Sequence, residues 1–300
     1  MAARLWRWVL GFALVFALIS AAALASAWPL SLAAALGAAL TILLAELPLF
    51  VLVSLLVARA AARASSVPAG FGLTLRTWMS ETAHFGSVVL AMSRNPAPLP
   101  PSAGSGRPVL LIHGILCNRG IWGALQRRLH AAGFRSVLAV NLEPLLADIE
   151  LLAARVEPEA LTLHRLNQGA RIAIVAHSMG GLVARVLLRN LGPEVVSTII
   201  TLGTPHHGTR WLAGLPGRAP QQLARGSPWL YALNALQEDR FTVPLVSLYS
   251  LDDNLVIPAT SARLKGAEAL ELRGVGHMGV ARSPRALDQV IAALSVAGAA

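Results

Sequence analysis

Hydrophobic and polar positions divide this chain into three regimes. Val9 to Ala27 and Leu30 to Val57 are two apolar stretches, separated by the turn signal Trp28-Pro29. Phe71 to Arg94 has mixed apolarity at helical spacing, with Trp78, Met79, Phe85, Val88 and Val89, and predicts one helix. That helix either lies on a membrane surface or covers a core. The Pro-, Gly- and Ser-rich run from Asn95 to Arg107 marks a linker. Beyond it, short apolar runs alternate with longer helical patterns, as in a parallel sheet flanked by helices. Strands are predicted at Val109–Ile112, Ser136–Val140, Ile172–Ala176, Val195–Leu202, Leu245–Tyr249 and near Ala269–Leu272. Helices are predicted at Ile121–Ala132, Leu145–Val156, Gly180–Leu191 and Arg285–Leu294, with Gly133 and Gly192 where C-caps belong.

Each leading stretch is long enough to cross the ~30 Å hydrocarbon core as a helix. Glu46 in the second costs roughly 3 kcal/mol on insertion scales, while each Leu, Ile, Val or Phe returns about 0.3 to 0.6. Sixteen such residues lie between Leu30 and Val57, so the sum favours insertion. Arg4 and Arg7 precede the first stretch, and Arg59 and Arg63 close the second. A two-helix hairpin puts both pairs on one side, which the positive-inside rule makes cytoplasmic. The expected organisation is a transmembrane hairpin over 1–63, an amphipathic helix and linker over 64–106, and a catalytic domain over 107–300. The expected location is the cell inner membrane, with that domain on the cytoplasmic side. Two alternatives stay open: cleavage of the first stretch after Ala25-Ser26-Ala27, or both stretches as two buried helices of a soluble core.

Lysine and arginine exceed aspartate and glutamate by 25 to 15, and 55% of the chain is hydrophobic. Lys265 is the only lysine, and the arginines are scattered without a dense basic block, so nucleic acid is not an expected partner. Arginines near a bilayer suit anionic headgroups instead. Cys117 is the sole cysteine, which excludes an intrachain disulfide.

The chemistry-bearing residues fall where predicted strands end, the place reactive loops occupy in open α/β sheets. His113-Gly114 follows the first strand and Ala176-His177-Ser178-Met179-Gly180 the third. Asp252-Asp253 follows the fifth strand, and Gly276-His277 the last. A serine hydroxyl needs exposure and a base to become a nucleophile. A tight strand-to-helix turn supplies exposure and demands small residues two positions either side, here Ala176 and Gly180. The N–H of Met179 and one from the loop after the first strand, assigned to Ile115, would form an oxyanion hole. The order Ser178, acid, His277 is that of α/β hydrolases. His113 reads as a loop brace. Thr204–Thr209 reads equally as a pocket wall or a structural turn, and the stretch from Trp211 to Phe241 as a cap or as ordinary packing.

Over roughly residues 107 to 295 the chain resembles bacterial lipases and esterases of the α/β-hydrolase superfamily. The stretches LLIHGILCNRGIW, VAHSMGGLVAR, TLGTPHHGT, SLYSLDDNLVIP and GVGHMGV carry the likeness. AHSMGG and GVGH are similar to small Bacillus-type lipases. LGTPHHGT is similar to triacylglycerol lipases and to deacylases that remodel lipid anchors. The resemblance implies the α/β-hydrolase fold with a mostly parallel central sheet. It also implies Ser178 as nucleophile, His277 as base and Asp253 as acid, with Ile115 and Met179 as oxyanion amides. In the family pattern the acid precedes a valine by three positions, as Asp253 precedes Val256. The implied activity is hydrolysis of lipid-like carboxylic esters without a cofactor, on a lipid or acyl-ester substrate at a bilayer. Thioester hydrolysis or acyl transfer would use the same residues. A non-catalytic membrane scaffold predicts a broken triad, whereas every element is present here. A metal hydrolase is disfavoured because no His, Asp or Glu cluster has ligand spacing, the adjacent His206 and His207 included.

Overall fold

The computed structural model describes residues 71–94, 107–210, 212, 216–237 and 241–296. The two apolar stretches within 1–63 and the linker residues 95–106 lie outside the described residues. Among the described residues no helix is long and apolar enough to cross a membrane.

Six strands form one sheet: β1 (Val109–Ile112), β2 (Val137–Val140), β3 (Ile172–His177), β4 (Val196–Leu202), β5 (Leu245–Ser250) and β6 (Glu268–Leu272). Their spatial order is β2-β1-β3-β4-β5-β6, and every described pairing is parallel. The expected strands are present with ends displaced by a residue or so. The first five are buried along their whole length, as apolar runs covered on both faces must be.

Side chains alternate between two cores. Leu110, Ile112, Leu138, Val140, Ile172 and Ile174 point to one face, against α3 (Ile149–Leu166) and α4 (Met179–Leu191). Val109, Leu111, Val137, Ala139, Ala173 and Val175 point to the other. That second face is covered by α1 (Phe71–Arg94), α2 (Gly123–Ala131) and α8 (Pro284–Val296). The chain therefore uses α1 as a core cover: Val88 and Met92 belong to the same buried cluster as Val109 and Leu111.

Several boundaries differ from the sequence pattern. The predicted helix from Ile121 is a 3-10 turn, Arg119–Trp122, followed by α2. Asn118 caps that turn by accepting from the Gly120 amide at 2.9 Å. Helix α3 starts at Ile149 rather than Leu145, because Asp148 accepts from the Glu150 amide and caps it. It then runs through Pro158 to Leu166, where the pattern suggested a stop. A proline removes one helical hydrogen bond, and burial of Ala160 and Leu163 beyond it offsets that loss. Three short helices escaped the pattern: α5 (Arg218–Leu223), α6 (Pro228–Gln237) and α7 (His277–Arg282). The fully buried Arg185 of α4 ties α6 down, its Nε donating to Gln237 Oε1 at 2.8 Å.

Strand order reverses at β1, with β2 on one side and β3 on the other. The loops leaving β1 and β3 flank that switch point, where open α/β sheets bind ligands.

Candidate active site

Ser178 stands between the end of β3 and the start of α4 with φ 56° and ψ −126°. This conformation is strained for a side-chain-bearing residue and is the expected state of a nucleophile elbow. Neighbours hold it: the Ser178 amide donates to Leu202 O at 2.9 Å, and Thr204 Oγ1 donates to Ser178 O at 2.9 Å. Crowding explains the small residues. A Cβ at Gly180 would lie 2.5 Å from Ile112 O. A Cβ at Gly114 would lie 2.8 Å from Ser178 Cβ. Gly114 is thus needed for close approach, and the left-handed residue of its loop is Leu116, at φ 58°.

His277 opens α7. Its Nδ1 lies 2.8 Å from Asp253 Oδ2, and both side chains are buried. A carboxylate can only accept, so Nδ1 carries the proton and Nε2 of the neutral ring is left as an acceptor. The other oxygen, Asp253 Oδ1, accepts from the Leu255 and Val256 amides at 2.8 Å each. The three-residue spacing from Asp253 to Val256 thereby has a local cause. Asp252 turns away: its Oδ2 accepts from Arg273 Nε at 3.1 Å and the Gly274 amide at 2.7 Å. Burial presses the His277 pKa down, but the charge of Asp253, its hydrogen bond and the charge of Glu81 together hold it above the usual value.

Ser178 and His277 line one cavity of about 220 Å3. Ile115, Leu116, Leu212, Leu223 and Leu255 make its lining largely apolar. Phe85 and Met92 of α1 also face it. Of the segment read either as wall or as turn, Pro205 and Thr209 reach the cavity. His206 is buried between Thr201 Oγ1 at 3.2 Å and Arg185 Nη1 at 3.4 Å. From the stretch read as a cap or as packing, Leu212 and Leu223 reach the cavity, while Trp229 donates to Glu150 on α3 at 3.0 Å. Cys117 lines the cavity too, but burial pushes its thiol up to about 12, so it stays uncharged.

The oxyanion assignment rests on position. Ile115 follows Gly114 on the cavity wall. Met179 is the first residue of α4, where helix geometry leaves amides without intrahelical acceptors. His113 braces its loop: Nε2 accepts from the Leu142 amide at 2.9 Å, so Nδ1 donates to Gly114 O at 2.8 Å. Burial lowers its pKa to about 4, which keeps it neutral.

Two residues were missed by sequence reasoning. His177 is completely buried, with its ring centroid 4.7 Å from that of His277 and its Nε2 donating to His277 O at 3.2 Å. Its place beside Ser178 was a signal. Glu81 of α1 accepts from the Met278 amide at 2.7 Å and the Gly279 amide at 2.9 Å. Nothing local in the sequence could have paired residues nearly 200 positions apart. Among the described residues no group of three or more His, Cys, Asp or Glu could hold a metal ion.

Known proteins share this architecture. A family model described as PGAP1-like alpha/beta domain matches residues 136–213, a span that includes Ser178 and Met179 and ends before Asp253. A triacylglycerol lipase of Burkholderia plantarii is 27% identical over 141 residues, 42% of this chain. The match spans only 37% of that relative's length. Aspergillus fumigatus lipase B superposes with a TM-score of 0.59 at 24% identity, over 66% of this chain and 55% of that one. The mature Bacillus licheniformis lipase BlEst2 gives 0.56 at 20% identity, over 66% and 95%. This is the α/β-hydrolase fold. At such identities the solved structures speak for the fold alone.

Proposed function

We propose that this chain is a serine hydrolase that cleaves carboxylic esters of lipid-like substrates through an acyl-enzyme. The observation that carries this reading is the shared cavity: Ser178, on a strained elbow, and His277, hydrogen-bonded to Asp253, open onto one apolar chamber. The similarity to a triacylglycerol lipase supports an ester substrate. The cavity is smaller than the ~300–1,000 Å3 typical of drug-sized ligands and apolar in lining, which suits a slim acyl chain.

In this mechanism Ser178 Oγ attacks the ester carbonyl carbon while its proton passes to His277 Nε2. The amides of Ile115 and Met179 stabilise the oxyanion. Collapse breaks the bond to the alcohol oxygen, and His277 returns the proton to that leaving group. Water then attacks the acyl-enzyme, giving its proton to His277, and the acid departs as Ser178 is re-protonated. Asp253 holds the histidine tautomer throughout. Residues 1–63 serve as the anchor that keeps the hydrolase near its lipid substrate.

The test is covalent. A fluorophosphonate probe should label the full-length chain, and Ser178→Ala should abolish labelling and lower kcat by on the order of 10⁴-fold. Undiminished labelling of a folded S178A protein would overturn the reading.

A further inference from the structure

Helix α7 has an unusual start. Gly276, its N-cap, offers no side-chain acceptor, yet the leading amides of the helix are buried and aimed inward. A helix N-terminus leaves such donors without intrahelical partners, and a local Ser, Thr, Asp or Asn ordinarily accepts from one of them. Here the acceptor comes from another element. Glu81 Oε1 takes the Met278 amide and Oε2 the Gly279 amide. The fit is close: a Cβ at Gly276 would sit 2.6 Å from Glu81 Cδ, so the glycine makes room for the carboxylate. Glu81 is only 8% exposed.

We propose that Glu81 is a positioning residue for His277, clamping the first turn of α7 through the two amides that directly follow the imidazole-bearing residue that Asp253 orients. The inference rests on the reading of His277 as the base. The clamp acts on the two residues directly after His277, whose own amide donates to Asn254 Oδ1 at 2.9 Å. His277 is thus held through its ring by Asp253, its amide by Asn254, its carbonyl by His177 and its following turn by Glu81.

Charge adds a second effect. Each Glu81 oxygen faces an N–H donor, which favours the ionised form, since a carboxyl O–H would oppose one of them. Burial, the largest influence, leaves the Glu81 pKa above the ordinary carboxylate value, while the two amides and His277 pull it down and Asp253 raises it further. Around His277 the charged or titratable neighbours are Asp253, Glu81 and His177, and burial keeps His177 neutral. His84 and Arg282 lie one turn away, and burial lowers the pKa of His84. When His277 accepts a proton from Ser178, its positive charge is stabilised by Asp253 at hydrogen-bond distance and, through space, by the ionised form of Glu81. The same attraction raises the His277 pKa in the free enzyme.

The signs separate this role from plain packing. Neutralising Glu81 removes a charge that favours imidazolium, so the His277 pKa falls and the acid limb of kcat/KM moves to lower pH. At the same time the transition state loses stabilisation, and kcat falls. In the full-length chain acting on p-nitrophenyl butyrate, the wild-type acid limb should lie above the ordinary imidazole value of about 6.5. Glu81→Gln should lower kcat about tenfold or more at little change in KM. It should also shift the limb down by several tenths of a pH unit or more. Glu81→Asp keeps the charge but shortens the reach, so it should lose kcat with the limb nearly in place.

A limb that stays fixed in a folded E81Q protein overturns the proposal, as does wild-type kcat. Should E81Q fail to fold, E81D decides: reduced kcat at unchanged KM supports the clamp, and wild-type kcat removes it. Ser178→Ala run in parallel keeps the two readings apart. If S178A retains activity the underlying mechanism fails. If S178A is inactive while E81Q matches wild type, only the role of Glu81 fails.

Discussion

Asp252 and Asp253 are adjacent in the chain and do unrelated work. Asp253 spends one oxygen on His277 and the other on two backbone amides, so the carboxylate has almost no freedom to turn. Asp252 instead ties Arg273 and the Gly274 amide into the loop that leads to His277. Substituting each by its amide should therefore give different phenotypes. Asp253→Asn presents a donor or a weakened acceptor to His277 Nδ1 and disturbs the tautomer, a change worth about 10⁴ in kcat in a serine protease. Asp252→Asn should keep kcat within roughly tenfold, while the melting temperature falls because charge-assisted bonds of about 1.5–3 kcal/mol weaken. Soluble-ester kinetics and thermal melts on both variants check this, and an inactive D252N beside an active D253N would reverse the assignment. The sequence made both acids visible as a pair after an apolar run. The choice between them came from the family spacing to Val256, which the structure explains by the Val256 amide on Asp253 Oδ1.

At the scale of elements, what could be read ahead depended on length and repetition. Strands β1 to β5 were legible because each is a buried run between turn residues, and loops at their ends could be located from them. Helices α5 and α7 have six residues each, too few turns for a period to register. Helix α1 was legible as a helix but not as a partner. Its outer stripe carries Met79 and Leu90, 60% and 51% exposed, and its inner face carries Glu81, Val88 and Met92. Two apolar faces gave no way to choose between membrane and core. The inner contacts are specific: Asn118 Nδ2 donates to Met92 O at 2.8 Å, and Arg282 reaches Ser87 Oγ at 3.2 Å. Because Met92 is both buried and on the cavity wall, Met92→Ala should act twice. Truncating a buried methionine removes about 2–5 kcal/mol of stability. The enlarged chamber should raise the rate ratio for octanoyl over butyryl p-nitrophenyl esters. A lower melting temperature with an unchanged ratio would mean that Met92 packs the core without shaping the acyl site.

The molecule as a whole then divides differently from the linker pattern alone. The Pro- and Gly-rich run before Arg107 suggested that the hydrolase begins there, with α1 on the far side of a boundary. Yet α1 contributes Val88, Val89 and Met92 to the buried interior, Glu81 to the turn after His277, and Phe85 to the cavity. Fully burying one such apolar side chain is worth about 1.5–3 kcal/mol, so three supply roughly 5–9 kcal/mol as an upper estimate. That approaches the whole stability of an ordinary domain, about 5–15 kcal/mol. A chain starting at residue 64 should therefore melt cooperatively, hydrolyse p-nitrophenyl butyrate, and leave the membrane fraction because the proposed anchor is gone. A chain starting at residue 107 should expose the surface beneath α1, lose the clamp on α7, and be inactive or aggregated. Comparing membrane partitioning, melts and activity for the two truncations decides the matter. If the shorter chain folds and turns over at the rate of the longer one, α1 is dispensable and the functional unit starts after the linker. If the longer chain remains bound to membranes, residues 1–63 are not the sole anchor, and the exposed Met79 and Leu90 become the next surface to mutate.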